Sequence, residues 1–429
     1  MRIPGRISAA IEVLTEVFTR HRPASEALKD WGKAHRIAGS SDRHAIGTLV
    51  FDSLRRRNSL AARMGDGRPR ALVLAALRDL WNLTPDDIAA HCIAQHGPGA
   101  LTDAERTALD RQLRDDLPAY VKGDFPEWLL ASFERAFGAR AAEEGAALAK
   151  RAPIDLRANT LKATRQQVLD ALARFGALAG PLSPLCVRIA PPGPEARNTN
   201  VEVEPAHGQG WFEVQDAASQ IAALMSGAKP GEQVADICAG AGGKTLALAA
   251  MMQNQGRLYA HDSDRHRLRP IFERLKRSGA ENVEVIAADE GDKLVKVGGF
   301  DCVLIDAPCS GSGSWRRRPD AKWRLTAHQL AQRIKDQRQV LEKAEKLVKA
   351  GGRLVYITCS VLPEENADQV KSFLAAHADF ALIPYTEQWR RAIGGEPPAS
   401  ADGAAETLLL TPASHDMDGF FVAVMKRSE

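Results

Sequence analysis

The sequence predicts an α/β protein of three domains: an all-helical region over residues 1–143, a small α+β region over 144–224 and a mostly parallel, doubly wound sheet over 225–429. Its 429 residues exceed what one ordinary hydrophobic core holds. Apolar residues recur at helical spacing near the N-terminus, whereas from Lys229 onward apolar runs of strand length alternate with helical stretches.

The composition excludes several classes of protein. Charged residues make up 26% and hydrophobic residues 45% of the chain, which is typical of a soluble globular protein and excludes disorder, collagen and coiled coil. No apolar run approaches the ~18 residues of a membrane helix, and no signal-peptide pattern opens the chain. Six cysteines without a C-x-x-C pair argue against a disulfide scaffold or zinc. We therefore expect a cytoplasmic, metal-free monomer with reduced thiols, whose net charge of +3 permits a polyanionic partner without requiring one.

The first region contains several helical patterns and no strand-like alternation. Apolar side chains form one stripe over 7–18, and the same spacing recurs over 43–60, a stretch that includes Arg55, Arg56 and Arg57. Residues 71–81 are apolar nearly all round, as in a central helix, and Thr84 precedes a proline and two aspartates in the pattern of a helix start.

The second region predicts a small α+β unit. An apolar–polar strand opens at Ile154, a turn follows at 158–160, and a helix is predicted over 164–175. Proline and glycine accumulate over 180–194, which predicts loops, and another strand over 211–215 leads into a helix.

The third region alternates strands and helices. Its longest predicted helix spans 326–349. Parallel sheets of this kind bind ligands beyond the carboxyl ends of their strands, at the switch point. Strands are predicted over 234–238, 257–261, 283–287, 300–306 and 353–358.

A glycine-rich turn follows the first of these strands, from Ala239 to Thr245. Its three glycines allow the backbone to approach a ligand closely, with helix amides directed at it. A phosphate loop would need glycine in place of Cys238, and a dinucleotide fingerprint would need glycine in place of Thr245. A nucleoside without a pyrophosphate, such as S-adenosylmethionine, fits better, and a tight turn that only packs is the alternative.

Carboxylates follow the next two strands. Asp262 ends the second strand, where a carboxylate can accept both hydrogen bonds of a ribose diol, and Asp289 ends the third, within reach of an adenine amino group. Singly, each is more often a surface or cap residue. Three ligand-type features at three successive strand ends favour a nucleoside.

Two cysteines leave the last two strands into polar loops, Cys309 after the fourth and Cys359 after the fifth. Because these strands should be neighbours, both thiols can face one cleft, where a partly exposed thiolate is a nucleophile. A regulatory disulfide is the alternative, which a reducing cytosol disfavours. Addition of a thiolate to carbon 6 of a pyrimidine activates carbon 5 for methylation, and an acid near ring nitrogen 3, such as Asp306, would stabilise the addition.

The motifs at 306–313, 317–323, 358–366 and 418–421 resemble those of the RsmB/Nop2/Sun family of RNA cytosine-5 methyltransferases, and together they cover most of 205–429. The resemblance implies a Rossmann-type class I methyltransferase domain that uses S-adenosylmethionine. It also implies that Cys359 is the nucleophile and Cys309 assists product release, a ranking that residue type alone leaves open. The family's usual Ala-Pro-Gly-Gly-Lys lacks its proline here, since Ala241 stands in that place. The implied cofactor-site residues are Cys238, Ala239, Gly240, Ala241, Gly242, Gly243, Lys244, Asp262, Asp289 and Asp306.

The resemblance extends, as a pattern, to the front of the chain. The helical region is similar to the NusB-like RNA-binding domain of bacterial RsmB members, and the strand that ends near residue 158 resembles the opening of the family's small RNA-binding domain. Basic residues beside Trp315 and Trp323 suit phosphate contact with base stacking. The predicted RNA-binding residues are Arg157, Asn159, Arg317, Arg318 and Lys322.

These features predict methylation of a cytosine in RNA, with small-subunit ribosomal RNA favoured by the NusB-like region and transfer RNA as the alternative. A ribosome-assembly factor that binds RNA without turnover is a third hypothesis, although the chain keeps both cysteines and Asp306. A regulatory ATPase is disfavoured by Cys238 in place of the required glycine.

Overall fold

The computed structural model describes residues 1–112, 116–193 and 199–429. Pro194, the end of the predicted loop segment, lies outside the described residues. Within them, no helix is long and apolar enough to cross a membrane, and no three His, Cys, Asp or Glu side chains are grouped so that they could hold a metal ion.

Among the described residues up to 148, the regular structure is helical. The helix predicted over 43–60 is two helices that meet at Arg56, because Asn58 and Ser59 bond instead to the segment 120–125. Thr84 caps its helix by accepting from the Asp87 N–H at 3.1 Å, as predicted. The helices are α1 (Ile3–Arg20), α2 (Ala24–Ala34), α3 (Ser40–Arg55), α4 (Arg57–Met64), α5 (Pro69–Asp79), α6 (Pro85–Ile93), α7 (Asp103–Asp110), α8 (Ala119–Lys122), α9 (Leu130–Phe137) and α10 (Ala141–Leu148).

The helices of this part of the chain belong to two separate hydrophobic cores. The apolar helix α5 lies at the centre of the first core, packed against α1 and α3. From Phe125 onward the apolar side chains instead join the core beneath the large sheet. The boundary predicted between 143 and 144 remains a prediction, and the packing groups residues 125–148 with the large sheet.

The small domain is a four-stranded antiparallel sheet in the order β2–β3–β1–β4. The prediction of loops over 180–194 is partly wrong, because this segment contains the strand β3. Its residues Cys186, Val187 and Ile189 are buried against β1 despite the flanking prolines and glycines. The elements are β1 (Ile154–Ala158), α11 (Arg165–Ala171), β2 (Leu178–Ala179), β3 (Cys186–Ile189), α12 (Pro205–Gly208), β4 (Phe212–Val214) and α13 (Ala217–Leu224).

The large sheet has the order β10–β12–β9–β8–β5–β6–β7, with β11 paired to β12. Strands β5 to β9 are parallel and match the five predicted strands, although β9 begins earlier, at Val348. The chain order reverses between β5 and β8, which is the switch point of a doubly wound sheet. The strands are β5 (Gln233–Asp236), β6 (Arg257–His261), β7 (Val283–Ile286), β8 (Phe300–Asp306), β9 (Val348–Thr358), β10 (Phe380–Ile383), β11 (Leu408–Leu410) and β12 (Phe420–Arg427).

Helices cover both faces of this sheet. The long helix predicted over 326–349 is α19, which ends earlier, at Glu345, because β9 already begins at Val348. Its start is fixed by Thr326, which accepts from the Gln329 N–H at 3.2 Å. The helices are α14 (Gly243–Met251), α15 (Arg265–Leu268), α16 (Ile271–Ser278), α17 (Asp292–Val297), α18 (Pro319–Arg324), α19 (Ala327–Glu345), α20 (Ala367–Ala376), α21 (Tyr385–Ala392) and α22 (Pro412–His415).

Candidate active site

The glycine-rich turn lies at the switch point, between β5 and α14. Gly240 (φ 52°) and Gly242 (φ 86°) adopt the left-handed conformation that glycine tolerates best. A side chain at Gly242 would lie 2.5 Å from Ile271, so α16 packs directly on the turn. Arg274 of the same helix donates to the carbonyl of Ala241 at 2.9 Å. The turn is therefore fixed from α16 although it lacks the family's proline.

Two buried carboxylates face this turn. Asp262, after β6, accepts from the N–H of Gly240 and of Asp264, both at 2.9 Å. Asp236, at the end of β5, accepts from the Thr245 hydroxyl at 2.7 Å, but its Oδ1 has no partner among the described atoms. Burial raises the pKa of Asp236 to about 7. Asp236 was missed in the sequence, where its polar side chain inside an apolar strand was the available signal.

The residues around this turn suit the adenosyl part of S-adenosylmethionine. A close backbone approach at the glycines, an unpartnered carboxylate oxygen on Asp236 and the exposed Asp289 beyond β7 surround the same strand ends. Burial raises the pKa of the Cys238 thiol, so this side chain is a neutral neighbour of the cleft. The other residues predicted for the cofactor, Ala239 to Lys244, form the turn itself.

Lys244 and Asp306 join the glycine turn to the end of β8. The Lys244 ammonium lies 2.6 Å from Asp306 Oδ2 and 5.1 Å from the ring centroid of Phe420. Lys244 is buried, whereas the side chain of Asp306 is about one-third exposed. The ion pair therefore fixes the orientation of a carboxylate that solvent can still reach. The sequence predicted both residues for the cofactor site but did not predict this ion pair.

The two thiols meet beyond the adjacent parallel strands β8 and β9, as predicted. The Sγ atoms of Cys309 and Cys359 are 3.4 Å apart. The hydrogen bond with Cys359 and burial raise the pKa of Cys309 well above the usual value of a thiol. A thiol that keeps its proton is a poor nucleophile.

A buried carboxylate holds the two cysteine loops together. Glu365 accepts from the N–H and the hydroxyl of Ser310, at 2.7 and 2.5 Å, and from the Gln337 amide at 3.1 Å. Burial raises the pKa of Glu365. Ser310 follows Cys309, and Glu365 follows the loop of Cys359, so these bonds fix the distance between the thiols. In the sequence, Glu365 is visible only as part of the motif at 358–366.

The motif before β12 closes the other side of this site. The Gly419 N–H donates to the Gly313 carbonyl at 2.8 Å, and the Gly313 N–H donates to the Cys359 carbonyl at 3.0 Å. The preceding Asp418 is buried and ion-paired with Arg316 and Arg317. The C-terminal strand therefore supports the backbone that carries Cys359.

Two of the predicted RNA contacts are wrong, because both side chains are buried in the small domain. Arg157 is 1% exposed, and its Nε donates to Gln215 Oε1 at 2.7 Å. Asn159 is also buried and donates to the carbonyls of Gly210 and Ser278, both at 2.8 Å. Neither side chain reaches the surface where RNA could bind, and Asn159 instead joins the small domain to α16.

The predicted contact between Lys322 and RNA is also wrong, because this side chain is buried as well. Lys322 is 1% exposed and donates to the carbonyls of Arg55 and Asp124, at 2.7 and 2.5 Å. The neighbouring Trp323 donates to the carbonyl of Leu54 at 2.6 Å, so α18 is bound to the helical domain. Trp315 is buried too, stacked on Phe133. Of the five predicted RNA contacts, only Arg317 and Arg318 reach the surface.

We predict that Lys322 makes stability depend on pH. Burial outweighs the attraction of Asp124 and lowers the pKa of Lys322 to about 7, from about 10.4 in an unfolded chain. Between these values the unfolded chain binds the extra proton, so the free energy of unfolding of the native protein should rise with pH. Relative to Lys322→Met, the rise from pH 7 to pH 9 should be about 2 kcal/mol in urea unfolding. A difference that stays constant with pH would contradict this.

Comparisons with known proteins agree with this geometry. Residues 223–426 match the family model described as 16S rRNA methyltransferase RsmB/F, and residues 125–194 match its ferredoxin-like domain. Ribosomal RNA small subunit methyltransferase B of Serratia proteamaculans is 30% identical over 419 residues, which cover 90% of this chain and 91% of the relative. The probable ribosomal RNA small subunit methyltransferase B of Synechocystis is 33% identical over 308 residues, covering 71% and 67%.

A solved structure shows the same fold. The crystal structure of a methyltransferase homolog from Pyrococcus horikoshii has a TM-score of 0.59 and 28% identity, covering 72% of this chain and 97% of the other. The Rossmann-type sheet predicted for residues 225–429 is thus confirmed, whereas the likeness of the helical region to NusB stays a prediction. The chain therefore belongs to the RsmB/F family of ribosomal RNA methyltransferases, and S-adenosylmethionine is its cofactor.

Proposed function

We propose that this protein methylates carbon 5 of a cytosine in small-subunit ribosomal RNA through a covalent cysteine–cytosine intermediate. The observation that carries the proposal is the pair of thiols, Cys309 and Cys359, 3.4 Å apart beyond two adjacent strands. Asp306, at the end of one of these strands, adds an acid–base group on the side of the cofactor cleft. The names of the curated relatives support ribosomal RNA as the substrate.

The proposed reaction uses the thiols in turn. The Cys359 thiolate adds to carbon 6, which forms an S–C bond and moves an electron pair toward carbon 5, while Asp306 stabilises the ring at nitrogen 3. Carbon 5 takes the methyl group that S-adenosylmethionine would supply: a C–C bond forms as the bond between sulfonium sulfur and methyl breaks, and S-adenosylhomocysteine would be the leaving group. A base then takes the proton of carbon 5, the S–C bond breaks and Cys359 leaves as a thiolate. The raised pKa of Cys309 supports its assignment as the thiol that assists this release, because it keeps a proton beside Cys359.

The direct test of the function is bisulfite sequencing of ribosomal and transfer RNA from a deletion strain and its parent. We expect one cytosine of small-subunit ribosomal RNA to lose its mark in the deletion strain. Loss of a transfer RNA mark instead would move the proposal to that substrate. If no cytosine lost its mark in either RNA, the protein would not be the cytosine-5 methyltransferase of these pools.

We predict that Asp262→Ala weakens binding of S-adenosylmethionine about 10- to 100-fold. The substitution removes the acceptor that holds the Gly240 N–H and the expected acceptor of the ribose diol, and each such hydrogen bond to a charged group contributes about 1.5–3 kcal/mol. Isothermal titration calorimetry measures the change, with Asp170→Ala on the exposed face of α11 as a control. Unchanged affinity, or tight binding of ATP by the native protein, would contradict the assigned cleft.

A further inference from the structure

We propose that a basic groove between the helical domain and the small domain binds the single-stranded RNA that flanks the target cytosine. The proposal deepens the proposed function, on which it rests, by naming the surface that holds the substrate. The groove consists of two neighbouring cavities of about 630 and 270 Å³ that share Arg55, Arg151 and Pro192 in their walls. The predicted RNA contacts at Arg157, Asn159 and Lys322 are buried and lie outside these walls.

The charge of the groove suits a polyanion. Two acidic side chains, Asp52 and Glu202, line the groove. Behind its wall, Asp216 and Asp418 form ion pairs with two of its arginines. Seven cations against these four acids leave an excess of three positive charges, equal to the net charge of the whole chain. Phosphates that meet such a surface bind by releasing counterions. The seven cations are Arg43, Arg55, Arg56, Lys150, Arg151, Arg316 and Arg317.

Two of these cations have hydrogen-bonding capacity to spare. The Nε of Arg55 is buried and has no partner among the described atoms, although the same guanidinium is ion-paired with Asp52. Lys150 is exposed and has no ion pair within the described residues. A phosphate oxygen is the acceptor that a guanidinium or an ammonium in such a groove takes up.

Apolar groups line the same groove beside the charges. Phe51 offers an aromatic ring, Pro191 and Pro192 offer flat aliphatic faces, and Val214 is 43% exposed. Unpaired bases stack on surfaces of this kind, whereas the bases of a duplex are already stacked on one another. The chemistry agrees, because a cytosine must leave its helix to meet a thiol.

The groove is connected to the thiols through the protein. Arg316 and Arg317 belong to its wall and are bound by Asp418, which precedes Gly419. Gly419 donates to Gly313, and Gly313 donates to the Cys359 carbonyl. These contacts couple the wall of the groove to the backbone that carries Cys359.

The test is RNA binding by the triple variant Arg43→Gln, Arg56→Gln, Lys150→Gln in the full-length protein. Fluorescence anisotropy is measured with a labelled single-stranded RNA and with the duplex of the same sequence, over a range of salt concentrations. We expect single-strand affinity to fall about 10- to 100-fold, and the dependence of log affinity on log salt to flatten by about 2, since each phosphate contact on a single strand contributes about 0.7.

A matched control removes three positive charges elsewhere. The control is the triple variant Lys229→Gln, Arg391→Gln, Lys426→Gln, which neutralises the wall of a small cavity at the amino ends of the parallel strands. We expect it to leave the affinity for RNA unchanged. The single variant Lys150→Gln, which breaks no ion pair, should still weaken binding about 2- to 5-fold with a slope change near 0.7, even where the triple variant unfolds.

Three outcomes would contradict the proposal that the groove binds single-stranded RNA. They are an unchanged single-strand affinity in the Lys150→Gln variant, an equal loss of affinity in the control triple variant, or a loss of affinity seen for the duplex alone. These outcomes are separate from failure of the proposed function. Native protein that bound single-stranded RNA through the groove but left every cytosine unmarked in the bisulfite comparison would refute the methylation and keep the groove.

Discussion

Cys359→Ala is expected to abolish methylation, whereas Cys309→Ala is expected to accumulate protein linked covalently to RNA. Without the Cys359 thiolate, carbon 5 of the cytosine is never activated, so the rate should fall at least about 10⁴-fold, toward the uncatalysed level. Without Cys309, the adduct still forms through Cys359, but the thiol that assists its release is missing. The 3.4 Å between the two Sγ atoms is the reason to expect that one thiol acts on the other.

The measurement is a denaturing gel of labelled RNA incubated with each variant and S-adenosylmethionine. A slow band is expected for Cys309→Ala, and its loss in the double variant Cys309→Ala, Cys359→Ala would assign the bond to Cys359. Cys92→Ala is a suitable control, because Cys92 is buried in the helical domain, far along the chain from the site. A slow band that appeared only for Cys359→Ala would reverse the roles of the two cysteines.

The fold of the large domain follows from short-range sequence signals. Alternating strands and helices determine a doubly wound sheet, and the ends of its strands determine where polar residues meet. The neighbouring positions of Cys309 and Cys359 could be predicted for this reason, since each follows a strand and the two strands are adjacent. The strands β10, β11 and β12 were not predicted, because their pairing depends on contacts between distant parts of the chain.

The RNA contacts were predicted less well, and the reason is physical. A basic run beside tryptophans has the same composition whether it faces solvent or another domain. Lys322 is buried only because the end of α3 supplies the Arg55 carbonyl as its acceptor. Arg157 is buried because Gln215, on the neighbouring strand's end, accepts from it. Such pairings arise between residues dozens to hundreds of positions apart, and no local pattern encodes them.

Glu365 illustrates the same limit inside the active site. Glu365 lies seven residues after Thr358, the end of the last predicted strand, and nothing local indicates its partners. The structure shows that it accepts hydrogen bonds from Ser310 and Gln337 in the protein interior. The hydrogen bonds of this buried carboxylate connect the Cys309 loop to the Cys359 loop. The proposed catalytic groups are therefore predictable from strand ends, whereas the groups that position them are visible only in the folded chain.

Gly313→Ala is expected to damage both stability and activity. A Cβ at Gly313 would lie 2.1 Å from the carbonyl oxygen of Gly419, and this neighbour is backbone that cannot rotate away. The two segments must separate, which breaks the 2.8 Å bond between them and shifts the Gly313 N–H from the Cys359 carbonyl. Overpacking of this kind costs about 1–3 kcal/mol. A displacement of the nucleophile by about 1 Å costs about 100-fold in rate.

Gly208→Ala provides the matched control, because the same methyl group there meets no atom within 4 Å. Unfolding in urea should show the loss of stability for Gly313→Ala and a change within about 0.5 kcal/mol for Gly208→Ala. Methylation measured well below the unfolding midpoint separates the two effects of Gly313→Ala. A variant that is less stable but fully active would mean that the backbone contact between Gly313 and Gly419 supports the fold without positioning Cys359. A loss of rate in the folded variant would show that this contact sets the position of Cys359, the proposed nucleophile.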